Sequence, residues 1–365
     1  MSLSHRLRPS PVVLAAAAVA AFSLLPSAGS GPAAAAARLA PTTRELVGQR
    51  FVVALEGRRP SAAILGRIRR GEIGGVILFG SNIGGAPQLL RLTAELQQAA
   101  RGAGRPPLLI ATDQEGGSVR RLPWAGPSAS APELGRASVA TIRREAFLAG
   151  RALRAGGINV DLAPVADVPT AGSFMAAQHR TFGGSTAVVG RAVTSFVGGL
   201  AAADVAATVK HFPGIGRATR NTDRSAVEIG SSRRVLVGDL APFRAAVTAG
   251  APLVMISNAT YPALDTKPAP WSPAVQALLR SGLGFGGVTI SDALDGAAAT
   301  RGRTLPSVAV LVARAGVDLL LCTGSEASSA AAFERVVAAA DQGRLSRAAL
   351  QRSYGRILSL KETYG

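Results

Sequence analysis

The sequence predicts an α/β fold that closes into one (β/α)8 TIM barrel. Short apolar runs with many β-branched residues recur along the chain, and stretches of helical character separate them. The runs are almost continuously hydrophobic, as in parallel strands that are covered on both faces. Eight such strand–helix units favour a closed barrel. The alternative, a doubly wound open sheet, is less favoured because no glycine fingerprint follows the first strand.

The predicted strands and helices alternate along the chain. We expect strands at residues 51–55, 75–79, 108–112, 159–162, 207–210, 253–256, 288–290 and 318–321. We expect helices at residues 87–102, 132–156, 187–203, 240–250, 272–282 and 306–316, and several of them end at glycine, which commonly terminates a helix. Ser272 followed by Pro273 is a typical helix start. Two further helices, at residues 330–340 and 346–360, are expected to close the barrel.

Composition limits the classes of function. Hydrophobic residues make up 48% of the chain and charged residues 17%, which excludes a disordered protein. The one cysteine, Cys322, excludes an internal disulfide framework and a zinc site built from cysteines. The three histidines, His5, His179 and His211, are too few for a metal site built from several of them. We therefore expect no metal ion and no organic cofactor.

The chain is strongly basic, with 40 Lys and Arg against 22 Asp and Glu and a net charge of +18. Only three of the basic residues are lysines, namely Lys210, Lys267 and Lys361. The arginines are scattered, without the basic stripe and interleaved aromatics that are typical of nucleic-acid binding. We therefore expect a generally basic surface and no nucleic-acid partner. Such a surface favours anionic surroundings, such as cell-wall polymers or lipid headgroups.

A targeting segment precedes the predicted barrel. His5, Arg6 and Arg8 form a basic start, an apolar run covers residues 12–25, and small residues follow it. This order is typical of a secretory signal peptide, and the run is shorter than the ~20 residues of a membrane span. We expect the protein to be secreted or associated with the cell envelope, with an uncleaved N-terminal anchor as the alternative. The predicted boundaries are a signal peptide at 1–30, an Ala-rich linker at 31–42 and the barrel at 43–365.

Polar and ionisable residues follow six of the predicted strands. In (β/α)8 proteins the carboxyl ends of all strands open onto one rim, where the chemistry takes place. A single polar residue at a strand end is often only a cap, but polar groups at six ends indicate a functional rim. The residues concerned are Asn82, Asp113, Glu115, Asp161, Asp167, Lys210, His211, Asn258 and Asp292.

This set is rich in carboxylates and cations, and it contains no cysteine nucleophile and no phosphate loop. Glycoside hydrolysis suits it, because that reaction needs one carboxylate at an oxocarbenium-like centre and a second group as acid and base. Metal-assisted aldol or lyase chemistry on carboxylates is a second option. A Schiff base on Lys210 is a third option, but the HFPG loop that directly follows Lys210 disfavours it.

Three longer segments carry a recognisable pattern: DQEGGSVRR at residues 113–121, KHFPGIG at 210–216 and GFGGVTISD at 284–292. They resemble the DQEGGxVxR segment, the KHFPGxG loop and the nucleophile-bearing strand of glycoside hydrolase family 3. Shorter matches keep the family's order between residues 43 and 365, namely GGVILF, LAPVADV, RTFG and AGVDLL. The chain stops after the barrel and so resembles the single-domain β-N-acetylhexosaminidase branch, whereas the two-domain β-glucosidases carry a further sandwich domain.

The resemblance implies a retaining mechanism in a single catalytic domain. Asp292 matches the nucleophile, which must be ionised, and cations such as Lys210 and an arginine are expected to keep its pKa low. A carboxylate accepts hydrogen bonds from sugar hydroxyls, while Arg and Lys donate them. The positions that match the family's −1 sugar subsite are Asp113, Arg121, Arg180, Lys210 and His211.

One motif departs from the branch. After the KHFPGxG loop the branch carries an Asp-Ser-His triplet whose histidine acts as acid and base, and ungapped alignment places Asn221, Thr222 and Asp223 there. Asp223 is the natural substitute, because a carboxylic acid with a raised pKa can protonate a leaving oxygen. Glu228 or a partner chain is the alternative source of this group. Ala293 also stands where the branch often has an acid after the nucleophile.

The expected function is an exo-acting, retaining β-glycosidase that releases terminal β-N-acetylglucosamine, for example from peptidoglycan-derived substrates. The aromatic content of 4% suits a small saccharide better than an extended polysaccharide, since aromatic side chains are the usual stacking platforms. Two alternatives stay open. One is a β-glucosidase-like or other family 3 glycosidase with an unusual acid/base, and the other is an inactive sugar- or cell-wall-binding protein.

Overall fold

The computed structural model describes residues 40–365, so the predicted signal peptide and nearly all of the predicted linker lie outside the described residues. Within this range the predicted fold class is confirmed. Eight parallel strands form one sheet: β1 (Phe51–Ala54), β2 (Gly75–Ile77), β3 (Leu109–Thr112), β4 (Val160–Asp161), β5 (Ala206–Phe212), β6 (Leu253–Ile256), β7 (Val288–Ser291) and β8 (Leu320–Cys322).

Backbone hydrogen bonds close this sheet into a barrel. Neighbouring strands pair in the order β7-β6-β5-β4-β3-β2-β1-β8. The two outer strands then meet, because Ser291 N donates to Leu319 O at 2.9 Å and Leu319 N donates to Thr289 O at 2.8 Å. Every strand therefore has a partner on both sides, and the short strands leave no free edge.

Helices surround the barrel and connect its strands. The predicted helix over residues 272–282 is regular only in its first half and continues as a π-helical turn over Leu278–Gly282. No helix within residues 40–365 is both long enough and apolar enough to cross a membrane. The helices lie at Thr43–Gly48, Ala62–Arg69, Ala86–Arg101, Ala131–Arg136, Val139–Ala155, Phe174–Ala177, Thr186–Ala201, Arg233–Asp239, Ala241–Thr248, Pro273–Ala277, Ala297–Thr300, Leu305–Ala315, Glu326–Asp341 and Arg347–Tyr364.

The single helix predicted over residues 132–156 is two helices in the structure. Ser138 interrupts it, because its hydroxyl accepts a hydrogen bond from Thr141 N at 3.1 Å and so caps a new helix. Gly135 in the first helix packs so closely that a Cβ there would lie 1.7 Å from Phe182 O. The break therefore coincides with the serine cap, which the helical periodicity alone does not reveal.

Two apolar clusters hold the fold together, one between the sheet and the helices and one inside the barrel. The inner cluster includes Val52 and Met255 from the strands, and also Ile357 and Leu360 from the C-terminal helix. That helix therefore covers the amino-terminal end of the barrel, as expected for the tail. The carboxyl ends of the strands are left to carry polar groups.

Candidate active site

A cavity of about 510 Å³ opens at the carboxyl ends of the strands. Its walls come from the segments that follow β3, β4, β5 and β7. The structure thus brings the predicted site residues into one place. All seven of them line this cavity: Asp113, Arg121, Arg180, Lys210, His211, Asp223 and Asp292.

Lys210 lies at the centre of a buried charge network. Its side chain is 2% exposed, and its Nζ lies 2.7 Å from Asp113 Oδ1 and 2.7 Å from Glu115 Oε1. Burial lowers the pKa of Lys210, but Asp113 and Glu115 raise it by more, so the net shift is upward. The ammonium group is therefore charged at neutral pH and shared by two carboxylates.

Glu115 belongs to the DQEGG motif but not to the predicted subsite. Arg180 binds it through two hydrogen bonds, Nε to Oε2 at 2.8 Å and Nη2 to Oε1 at 2.6 Å. Burial raises the pKa of Glu115, but Lys210 and Arg180 oppose this and bring it down to about 2. Glu115 is thus ionised, and it links the ends of β3 and β5 to the loop that carries Arg180.

Arg121 stands closer to solvent than the buried network. Its Nη2 lies 3.9 Å from Asp113 Oδ2, beyond hydrogen-bond distance, and a third of its side chain is exposed. Its Nε is buried and has no partner within residues 40–365. Arg121 and Asp113 therefore both keep hydrogen-bonding capacity for a ligand in the cavity.

His211 is oriented by a carboxylate that the sequence-based subsite did not include. Asp167 is fully buried, and its Oδ2 lies 2.7 Å from His211 Nδ1. Its Oδ1 accepts a hydrogen bond from Ile215 N at 2.7 Å, which fixes the carboxylate in turn. This contact favours the tautomer protonated at Nδ1 and leaves Nε2 free to bind a ligand.

Asp292 follows β7 and receives a hydrogen bond from Ala293 N at 2.8 Å. The expectation that neighbouring cations keep its pKa low is wrong, because the pKa of Asp292 is raised. Burial is the largest cause and Asp223 adds to it, whereas His211 and Lys210 act in the opposite direction. Of these causes, Lys210 has the smallest effect.

The loop that carries Asp223 is fastened to the segment after β7. Asp223 O accepts a hydrogen bond from Ala297 N at 2.9 Å, and Thr222 O accepts one from Ala298 N at 3.0 Å. Within the loop, Asn221 Oδ1 accepts a hydrogen bond from Asp223 N at 2.9 Å. These contacts place the exposed Asp223 side chain at the cavity that Asp292 also lines.

Glu228, the alternative acid/base, lies outside the residues that line the cavity. Its side chain is 61% exposed and its Oε1 lies 3.7 Å from Arg301 Nη2. The structure therefore favours Asp223 over Glu228 by position. Within residues 40–365, no group of three or more His, Cys, Asp or Glu side chains is arranged to hold a metal ion.

Asp161 at the end of β4 is a buried acid beneath the charge network. Its Oδ1 accepts a hydrogen bond from Gln114 N at 2.9 Å, and its Oδ2 has no partner in the described part of the chain. Burial raises the pKa of Asp161 to about 8, although Gln114 and Lys210 act against the shift. Asp161 is therefore neutral at pH 7 and adds no charge to the network.

The segments that carry these side chains match a known family. Residues 42–360 match the sequence model of the Glycosyl hydrolase family 3 N terminal domain. The chain belongs to glycoside hydrolase family 3. This membership confirms the predicted family and the predicted class of enzyme, a glycoside hydrolase.

Two curated relatives cover most of the chain. An uncharacterized secreted glycosyl hydrolase of Arthroderma benhamiae is 36% identical over 326 residues, which cover 86% of this chain and 92% of the relative. Beta-hexosaminidase LpqI of Mycobacterium tuberculosis is 32% identical over 347 residues, which cover 92% of this chain and 87% of the relative.

Solved structures share the barrel. The family 3 beta-N-acetylglucosaminidase of Paenibacillus sp. str. FPU-7 aligns with a TM-score of 0.86 and 35% identity, covering 89% of this chain. This chain spans only 63% of that one. The beta-N-acetylhexosaminidase of Beutenbergia cavernae aligns with a TM-score of 0.82 and 32% identity, covering 88% of this chain and 99% of that one.

Replacing Glu115 should destabilise the fold, because the change leaves Lys210 and Arg180 with an unbalanced buried charge. We expect Glu115→Gln to lower the free energy of unfolding by about 3 kcal/mol, as for one partner removed from a buried ion pair. Urea denaturation at neutral pH measures this change in the free energy of unfolding. Glu334→Gln is the matched control, since Glu334 pairs with Arg44 but is 59% exposed, and it should cost below about 1 kcal/mol. Equal losses in the two variants would contradict the described network.

Proposed function

We propose that this protein is a retaining exo-β-glycosidase that releases terminal β-N-acetylglucosamine from small saccharides. The observation that carries the proposal is the single cavity in which Asp292 and Asp223 lie beside the Lys210 network. Retaining glycosidases need two carboxyl groups at one site, one as the nucleophile and one as the acid and base. The other carboxylates that line the cavity are engaged, because Asp113 and Glu115 bind Lys210 and Asp295 accepts hydrogen bonds from Thr323 N and Gly324 N.

The two carboxyl groups would act in two steps. In the first, the Asp292 carboxylate attacks the anomeric carbon and forms a glycosyl–enzyme bond, while Asp223 gives its proton to the leaving oxygen. In the second, Asp223 takes a proton from a water molecule, which attacks the same carbon and releases Asp292. The fastening of the Asp223 loop to the segment after β7 supports this division of roles, because it keeps the two groups at one cavity.

The charge network supplies the sugar subsite in this proposal. Asp113 is placed to accept hydrogen bonds from sugar hydroxyls, Arg121 and Arg180 are placed to donate them, and His211 Nε2 is placed to accept one. Their positions are held by Lys210 and by the buried carboxylates behind them. The cavity volume of about 510 Å³ lies within the usual range for small-molecule sites, about 300–1,000 Å³.

The sugar class and the location are proposed from the relatives and the composition. The beta-hexosaminidase and the two N-acetylhexosamine-specific structures support a terminal N-acetylhexosamine, with a peptidoglycan fragment as one source. The predicted signal peptide at 1–30 and the secreted relative support a location outside the cytoplasm. A net charge of +18 would attract such a protein to an anionic cell-wall surface.

Removing the proposed acid/base should affect poor leaving groups most. We expect Asp223→Ala to lower kcat/KM by about 10²–10⁴-fold for a methyl N-acetyl-β-glucosaminide, because the alkoxide must be protonated as it leaves. The loss should be far smaller for a dinitrophenyl glycoside, whose phenolate leaves without a proton. Steady-state kinetics on both substrates measure the ratio.

Glu228→Ala is the matched control, since it removes a carboxylate from the same loop outside the cavity, and it should leave both rates unchanged. Equal losses on the two substrates for Asp223→Ala would exclude the acid/base role. Binding of N-acetylglucosamine by the unaltered protein without any turnover would favour the inactive sugar-binding alternative.

The pH profile should report the ionisation of Asp292. Because burial and Asp223 raise its pKa, we expect activity to fall on the acid side at a higher pH than the ~3.9 of a free aspartate would give. Asp223→Asn removes a negative charge that opposes ionisation, so the acid limb of kcat/KM for the dinitrophenyl glycoside should move to lower pH. An unchanged or upward-shifted limb would show that the two carboxyl groups do not interact.

A further inference from the structure

A second cavity, of about 240 Å³, lies at the amino-terminal end of the barrel, opposite the catalytic cavity. Its walls are the residue before β1, the end of helix Leu305–Ala315 and the first turns of helix Arg347–Tyr364. We call it the arginine cavity, because five arginines line it: Arg50, Arg314, Arg344, Arg352 and Arg356.

Two of these arginines form the inner wall. Arg50 is buried and donates from Nη2 to Val317 O at 2.6 Å and from Nε to Asp318 O at 3.2 Å. Arg356 Nη2 donates to the Asp318 carboxylate at 2.6 Å. Arg280 binds that carboxylate as well. The Asp318 carboxylate therefore pairs with Arg356 and Arg280, while Arg50 is bound only to backbone carbonyls, so the inner wall keeps an excess of positive charge.

The other three arginines have no side-chain partner in the part of the chain that the structure describes. Arg314, Arg344 and Arg352 are exposed, and their guanidinium groups make no hydrogen bond or ion pair within residues 40–365. No aspartate or glutamate of the described chain lines the arginine cavity. The positive charges gathered around one cavity repel one another. A bound anion would remove that repulsion.

Uncharged donors also face the arginine cavity. Ser353 is 4% exposed, and its Oγ is buried without a partner in the described residues. Ser346 begins the helix Arg347–Tyr364, and its side chain does not cap it, so the first amides of an 18-residue helix are left for another acceptor. A buried hydroxyl and helix amides are donors for an oxyanion, and they are independent of the arginine charges.

We propose that the arginine cavity is a binding site for a phosphate group. A phosphate presents several charged oxygens in tetrahedral directions, which suits guanidinium groups, a hydroxyl and helix amides arriving from different elements. A planar carboxylate offers two oxygens and would leave some of these donors unpaired. The site is separate from the catalytic cavity and does not rest on the proposed glycosidase activity.

Isothermal titration of the full chain with inorganic phosphate at physiological ionic strength tests the proposal. We expect saturable binding that weakens by about tenfold or more in the Arg344→Gln/Arg352→Gln double variant, as for two lost charge-assisted contacts. Ser353→Ala should weaken it by about threefold, as for one hydroxyl donor. Both arginines are exposed and have no side-chain partner among residues 40–365, so the double variant should fold normally.

The matched control is Arg143→Gln/Arg144→Gln, which removes two exposed positive charges from helix Val139–Ala155, away from the arginine cavity. This variant should bind phosphate like the unaltered chain. If phosphate binding weakened equally in the two double variants, general surface charge would explain the binding and the proposal would be overturned. Absence of saturable binding by the unaltered chain, or binding that the cavity variants do not change, would overturn it as well.

A second arm separates the sources of the phosphate. The same variants are sedimented with vesicles of phosphatidylglycerol and, as reference, of phosphatidylcholine. Binding to the anionic vesicles that is lost in the Arg344→Gln/Arg352→Gln variant identifies a lipid headgroup as the ligand. Saturable binding of inorganic phosphate without vesicle binding identifies a free phosphate or a soluble phosphate ester.

Discussion

The site depends on one buried cation. Lys210 carries its charge to a position that is 2% exposed, where it is stable only because Asp113 and Glu115 each lie 2.7 Å away. Glu115 in turn binds Arg180 through two hydrogen bonds. This pairing joins the ends of β3 and β5 to the loop after β4, and it fixes the positions of Asp113 and Arg180.

The surroundings of Asp292 explain why its pKa is raised. Lys210 and Arg180 pair with Asp113 and Glu115, and neither cation forms an ion pair with Asp292 in the described residues. Burial and the neighbouring Asp223 therefore raise its pKa, and His211 is the cation-capable group that opposes them most. Two interacting carboxyl groups favour a state in which they hold one proton between them. The proposed reaction uses the form in which Asp292 is ionised and Asp223 holds that proton.

Much of this arrangement could be predicted from the sequence. Apolar runs located the strands, and the polar residues after them located the rim, because parallel strands end on one side of a barrel. The partners of Glu115 could not be read in this way, since Arg180 is 65 residues away and a carboxylate's role depends on the cation that faces it. Helical periodicity likewise did not reveal the break at the Ser138 cap, and the arginine cavity gathers side chains from both ends of the described chain.

The nucleophile is tested most directly by trapping the glycosyl–enzyme. The protein is incubated with an activated 5-fluoro derivative of N-acetylglucosaminyl fluoride, whose covalent intermediate hydrolyses slowly, and is then digested and analysed by mass spectrometry. We expect one sugar on the peptide that contains Asp292, and no label in Asp292→Ala. A sugar on any other residue, or turnover that gives the inverted anomer without a trapped intermediate, would contradict the assignment of Asp292 as the nucleophile of a retaining glycosidase.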